Sequence, residues 1–170
     1  MEFQWAQVSG ALTGGIIGGF AGFVSNIIQQ RLQAVQTRRS VAQALLGEIS
    51  AISKRIEFEY LEKLSLELTI MKTEGRYPIH HLRGQKNLAT VFGSLGASIG
   101  CLPSDLVSEL VSWHISMAIY QERESELHEL TSSRSAELME YAVELAELQH
   151  AGYAGLVQSA RPLTMQLAAF

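Results

Sequence analysis

No Asp, Glu, Lys or Arg occurs between Glu2 and Arg31, and this gap constrains the chain more than any other feature. Within it, residues 8–28 form an uncharged run. At ~1.5 Å per residue, a helix of that length matches the ~30 Å hydrocarbon core of a bilayer. The sequence as a whole is 47% hydrophobic and 18% charged, and the apolar excess is concentrated here. A secretory signal needs a basic start, a shorter apolar run and a small-residue cleavage site. This N-terminus offers Glu2 and no Lys or Arg, so the run reads as an uncleaved span.

Flanking residues orient that span. Arg31, Arg38 and Arg39 follow it, and no basic side chain precedes it. The positive-inside rule places residues 31–170 in the cytoplasm of a plasma membrane, with the N-terminus outside. Trp5 sits where an amphipathic ring anchors at the interface. Charge is also divided along the chain: residues 31–86 hold ten Lys/Arg against six Asp/Glu, and residues 87–170 hold three against ten. The basic part adjoins the span, as expected beside anionic headgroups. No basic stripe with interleaved aromatics appears, so nucleic acid is not an expected partner.

Glycine spacing gives the span a further property. Ala6, Gly10, Gly14, Gly18 and Gly22 recur every four residues, Asn26 continues the row, and Ala11, Gly15 and Gly19 run beside it. Residues four apart share a helix face, and glycines there let a second backbone approach closely. Self-association, or pairing with another membrane protein, is the expected use. Only nine of the 21 residues are Leu, Ile, Val or Phe, so the span inserts weakly alone and gains from association.

The remainder reads as all-α. Val41, Leu45, Ile49, Ile52, Ile56, Tyr60, Leu64, Leu68 and Met71 keep steps of three or four, the stripe of a long amphipathic helix with coiled-coil or hairpin packing. The expected organisation is an anchor over 1–30, a juxtamembrane helix over 31–74 and a loop over 75–86. A helical region over 87–162 and a loose tail over 163–170 complete it. Within that region Leu88, Val91, Phe92, Leu95 and Ile99 line one short helix, closed by Gly100 and Pro103. Ser104 is the expected N-cap of the next, which runs to about Leu130 with Leu106, Leu110, Trp113 or Tyr120, and Met117 inward. Leu138, Tyr141, Leu145, Leu148 and Gly152 mark the inner face of the last helix, and Pro162 limits it.

The stretch Ile99-Gly-Cys-Leu-Pro-Ser-Asp-Leu-Val-Ser-Glu-Leu-Val-Ser-Trp-His114, with Leu45-Leu-Gly-Glu-Ile49 upstream, resembles a segment of uncharacterised bacterial single-span membrane proteins. That group carries an N-terminal transmembrane helix, a helical cytoplasmic domain and a Leu-Pro-x-(Asp/Glu)-Leu-Val motif. The resemblance implies the same layout and no assigned chemistry.

Residues able to carry chemistry form no recognisable constellation. Glu147 and His150 have the Glu-x-x-His spacing of di-iron bundles, but no second copy accompanies them. Glu124 and His128 read as an exposed pair one turn apart. His80 and His81 fall in the loop, and His114 reads as a partly buried helix residue. Glu122, Glu126 and Glu129 share a solvated face. Cys101 reads as a small buried hydrophobe. No nucleophile elbow or phosphate-binding loop is present. Neither metal, cofactor nor small-molecule substrate is expected. The leading expectation is a membrane-anchored interaction or scaffold protein; a small pore and an enzyme with an undetected site are the alternatives.

Overall fold

The computed structural model describes residues 3–78 and 89–170, with side chains from Ser25 onward and at Phe23. Among the described residues every regular element is helical. Helix α1 covers Phe3–Arg55 and passes through one π turn, Ile56–Tyr60, into α2, Leu61–Glu74. A short α3 (Thr90–Leu95) runs into a 3-10 turn, Gly96–Cys101; α4 (Ser104–Ser133), a 3-10 turn at Ala136–Leu138 and α5 (Met139–Ala168) complete the chain. Two compact units result, residues 1–39 and residues 40–170.

In the first unit, Phe23 and all of residues 25–39 are exposed. Among the described residues, no helix is long and apolar enough to cross a membrane. Most of the 8–28 run, with Trp5, Ala6 and the four glycines of the row, lies outside the residues whose side chains are described.

The second unit is a helical bundle with one continuous core. Its first contribution is the stripe from Val41 to Met71: eight of the nine expected positions are buried, and Leu68 is half-buried. The π turn explains how so long a stripe stays inward. Ile52, Ile56, Tyr60 and Leu64 are separated by three steps of four, each overshooting an α-helical turn by about 40°. A wider i→i+5 turn absorbs that drift. Helix α2 then ends at Glu74 on Gly75, whose φ of 61° is the left-handed cap that glycine supplies without strain. Residues 79–88, and with them His80, His81 and Leu88, lie outside the described residues.

Several expectations after the loop are corrected. The short helix stops at Leu95 rather than Gly100, because Gly96 takes a φ of 42° that no α-helix accommodates. Ser104 is the first residue of α4 rather than its cap; Pro103 occupies the cap position. Helix α4 runs past Leu130 to Ser133, since the Thr131 and Ser133 hydroxyls bond back to helix carbonyls and the chain turns only at Arg134. Leu106, Leu110, Trp113 and Met117 are buried as expected, and Cys101 is half-buried against the core.

Helix α5 departs furthest. Of its expected inner face only Leu145 is buried; Leu138, Tyr141 and Leu148 are exposed. The buried row is Ala142, Leu145, Ala146, Gln149, Tyr153, Leu156 and Val157, so alanines and a glutamine take inner positions beside larger side chains while Tyr141 and Leu148 lie outside. Gly152 belongs to this close approach, because the Tyr120 ring occupies the space a Cβ would take. Pro162 does not limit the helix, which continues to Ala168. An internal proline costs ~3 kcal/mol, but Leu163 and Leu167 beyond it are buried, each gaining about 2 kcal/mol. The expected loose tail is therefore the last turn of a packed helix.

Candidate functional site

The most organised polar site joins three elements distant in sequence. Glu48 lies on the inward face of α1 between Leu45 and Ile49, and is itself buried. One carboxylate oxygen accepts the backbone N–H of Val91 at 2.5 Å; the other accepts the N–H of Phe92 at 3.0 Å. These amides belong to the first turn of α3, which has no partner for them within a helix. The second oxygen also lies 3.2 Å from Nε2 of His114 on α4.

His114 is buried and constrained on every side. Its Nδ1 is 2.8 Å from the Leu110 carbonyl, one turn earlier. The Phe92 ring stacks on it with centroids 3.7 Å apart, and Trp113 meets it edge-on at 5.0 Å. Both ring nitrogens face oxygen acceptors, so a ring carrying two protons donates to both, whereas a neutral ring donates to one. The Trp113 Nε1–H donates to the Leu156 carbonyl and fixes α4 against α5. Both Glu48 oxygens are thus occupied by donors, with no hydroxyl or thiol among their partners. The arrangement clasps α3 to the bundle.

A second polar cluster corrects the reading of Glu124. Rather than sharing an exposed pair with His128, Glu124 is buried and His128 is half-buried, because position 124 continues the inward row of Leu110, Trp113 and Met117. The Tyr153 hydroxyl donates to the Glu124 carboxylate at 2.7 Å, and Tyr60 and Tyr120 meet the Tyr153 ring edge-on. Burial foremost, then the Glu124 carboxylate, pushes the Tyr153 hydroxyl far above the ordinary phenol range. Gln149 donates to the Tyr120 carbonyl at 2.7 Å, while its own carbonyl oxygen is buried without a partner.

Other sequence candidates are dispersed. Glu122, Glu126 and Glu129 are exposed, and Glu126 accepts from Tyr141. Glu147 pairs across helices with Lys72, and His150 is half-buried. Asn26 accepts from Gln30 one turn on, and Arg31, Arg38 and Arg39 are exposed. A groove of about 460 Å³ between α4 and α5 is lined by Ser112, Ser116 and Ser159. Its Glu109 is engaged by Gln166, and Ser159 donates to the Leu156 carbonyl. Among the described residues no group of three or more His, Cys, Asp or Glu is gathered for a metal ion.

Sequence reasoning missed the Glu48 clasp, whose parts lie 43 or more residues apart. Its available signal was a carboxylate inside the apolar row Leu45–Ile49–Ile52. No family model, curated protein or solved structure matches the chain.

Proposed function

We propose that the chain is a membrane-anchored helical scaffold: residues 8–28 cross the bilayer, and the bundle of residues 40–170 is held at the cytoplasmic surface. The observation that carries this reading is a contrast in apolar burial. The bundle closes its own core from Val41 onward, whereas Phe23, Ile27 and Ile28, at the end of the charge-free run, are exposed. Such residues are stabilised by lipid without any help from the bundle. The Gly10/Gly14/Gly18/Gly22 face then brings spans together, and the clasped bundle presents a rigid surface to whatever the assembly gathers.

The test uses full-length chain with Cys101→Ser and one introduced cysteine. The chain should stay in the membrane pellet after alkaline carbonate washing. A Gln4→Cys variant should react with an impermeant maleimide from outside, and Ser133→Cys only after permeabilisation. Release by carbonate, or labelling of Ser133→Cys in intact cells, would overturn the reading.

A further inference from the structure

Helices α2 and α4 end in the same backbone geometry with different residues. Gly75 closes α2 at φ 61°, ψ 26°; Arg134 closes α4 at φ 51°, ψ 27°. Glycine takes this left-handed conformation at no steric cost, whereas a residue with a Cβ is strained in it. Among the described residues Arg134 is the one non-glycine residue with positive φ. Strain of this kind persists at binding sites, where the work of the side chain offsets it.

The two helix ends meet. The Tyr77 hydroxyl donates to the Ser135 carbonyl at 2.8 Å and ties one turn to the other. A pocket of about 420 Å³ opens there, lined by Gly75, Arg76, Tyr77, Arg134, Ala136 and Met139. That volume suits a small ligand. The sequence is sorted around it. No acidic residue occurs between Glu74 and Asp105, or between Glu129 and Glu137.

The two guanidiniums are committed differently. Arg76 donates through Nε to the Glu74 carboxylate at 2.5 Å, which fixes the group and leaves its terminal nitrogens for another acceptor. Among the described residues the Arg134 side chain makes no hydrogen bond or ion pair. It is therefore not spent on the last carbonyls of α4, the ordinary use of a cation at a helix C-terminus. The carbonyl ends of α2 and α4 and the amide end of α5 all reach this pocket, each carrying about half a charge. The amide end offsets one carbonyl end, and two guanidiniums outweigh the other together with Glu74. Two guanidinium forks call for an anion with several oxygens, the geometry of a phosphate.

We propose that this pocket binds a small phosphate-bearing anion between Arg76 and Arg134. The site stands whether or not the chain is anchored in a membrane. Full-length chain in detergent micelles, titrated calorimetrically with inorganic pyrophosphate at low salt, tests it. Saturable binding at millimolar concentration or tighter is expected. Arg134→Gly should weaken it about tenfold, the worth of one charge-assisted hydrogen bond, without lowering the midpoint of thermal unfolding. Arg76→Gln should weaken it as well. Arg161→Gln, which removes an exposed arginine of α5 outside the pocket, should leave affinity unchanged. Citrate, a carboxylate anion of similar charge, should bind more weakly. Absence of saturable binding overturns the proposal, and so does an Arg134→Gly chain that binds as tightly as the parent. Equal weakening by Arg161→Gln would mean general charge attraction and overturn it too. A lower unfolding midpoint in Arg134→Gly would make the arginine a structural cap, and citrate bound as tightly as pyrophosphate would sink the phosphate assignment.

Discussion

Two stretches of α1 carry apolar residues at three-four spacing and meet opposite fates. From Val41 to Ile52 the stripe is buried in the core of the bundle. From Ile27 to Val35 a comparable stripe is exposed. Periodicity therefore marks a face that needs covering without saying who covers it. The composition around the stripe carries the difference. Glu48 accompanies the buried stripe and is met by amides and a histidine from the same chain. The exposed stripe is accompanied by arginines and no acidic residue.

The sharpest way to break this comparison is a matched pair of truncations. Leu45→Ala removes a fully buried side chain and should cost about 2–5 kcal/mol in bundle stability by urea unfolding. Leu32→Ala should change the same measurement by less than ~0.5 kcal/mol. Equal losses would mean the exposed stripe is part of the bundle after all.

Next in size is the clasp. Glu48→Ala strands two amides and a histidine and should cost about 3 kcal/mol. Hydrogen exchange at Val91 and Phe92 should accelerate well before the rest of the bundle. Exchange that rises uniformly would show that the carboxylate supports the core generally and not α3 in particular.

The smallest effect concerns Tyr153. Its hydroxyl keeps its proton in the folded state to higher pH than in the unfolded chain. The stabilisation is thus fully present below the unfolded value, about 10, and declines as pH rises beyond it. Tyr153→Phe should cost about 1 kcal/mol at neutral pH and flatten the loss of stability above about pH 10. A variant as alkali-sensitive as the parent would assign that sensitivity to groups other than Tyr153.

How much was legible follows from which forces act locally. The stripe from Val41 to Met71 could be read because burial there follows residue type. Helix α5 was misread because close packing rewards small side chains, placing Ala142 and Ala146 inward and leaving Leu148 outside. Pro162 was over-weighted because its cost is local, while the burial of Leu163 and Leu167 that offsets it is tertiary. Glu124 was misread because a charge next to other charges suggests water, and only the fold supplies Tyr153. The clasp was illegible for the same reason: nothing near Glu48 in sequence announces Val91, Phe92 or His114.

The π turn at Ile56–Tyr60 bears on the chain's history. Such a turn contains one residue more than an α-helix needs between the same two flanks. Excising the outward-facing Phe58 would let the segment rewind as ordinary α-helix, with Leu64, Glu67 and Met71 still directed at α5. Length at this point is therefore freer than identity. Relatives of this chain shorter by a single residue here would keep the same interior, and an alignment gap at this position would mark a rewound turn in place of a lost contact.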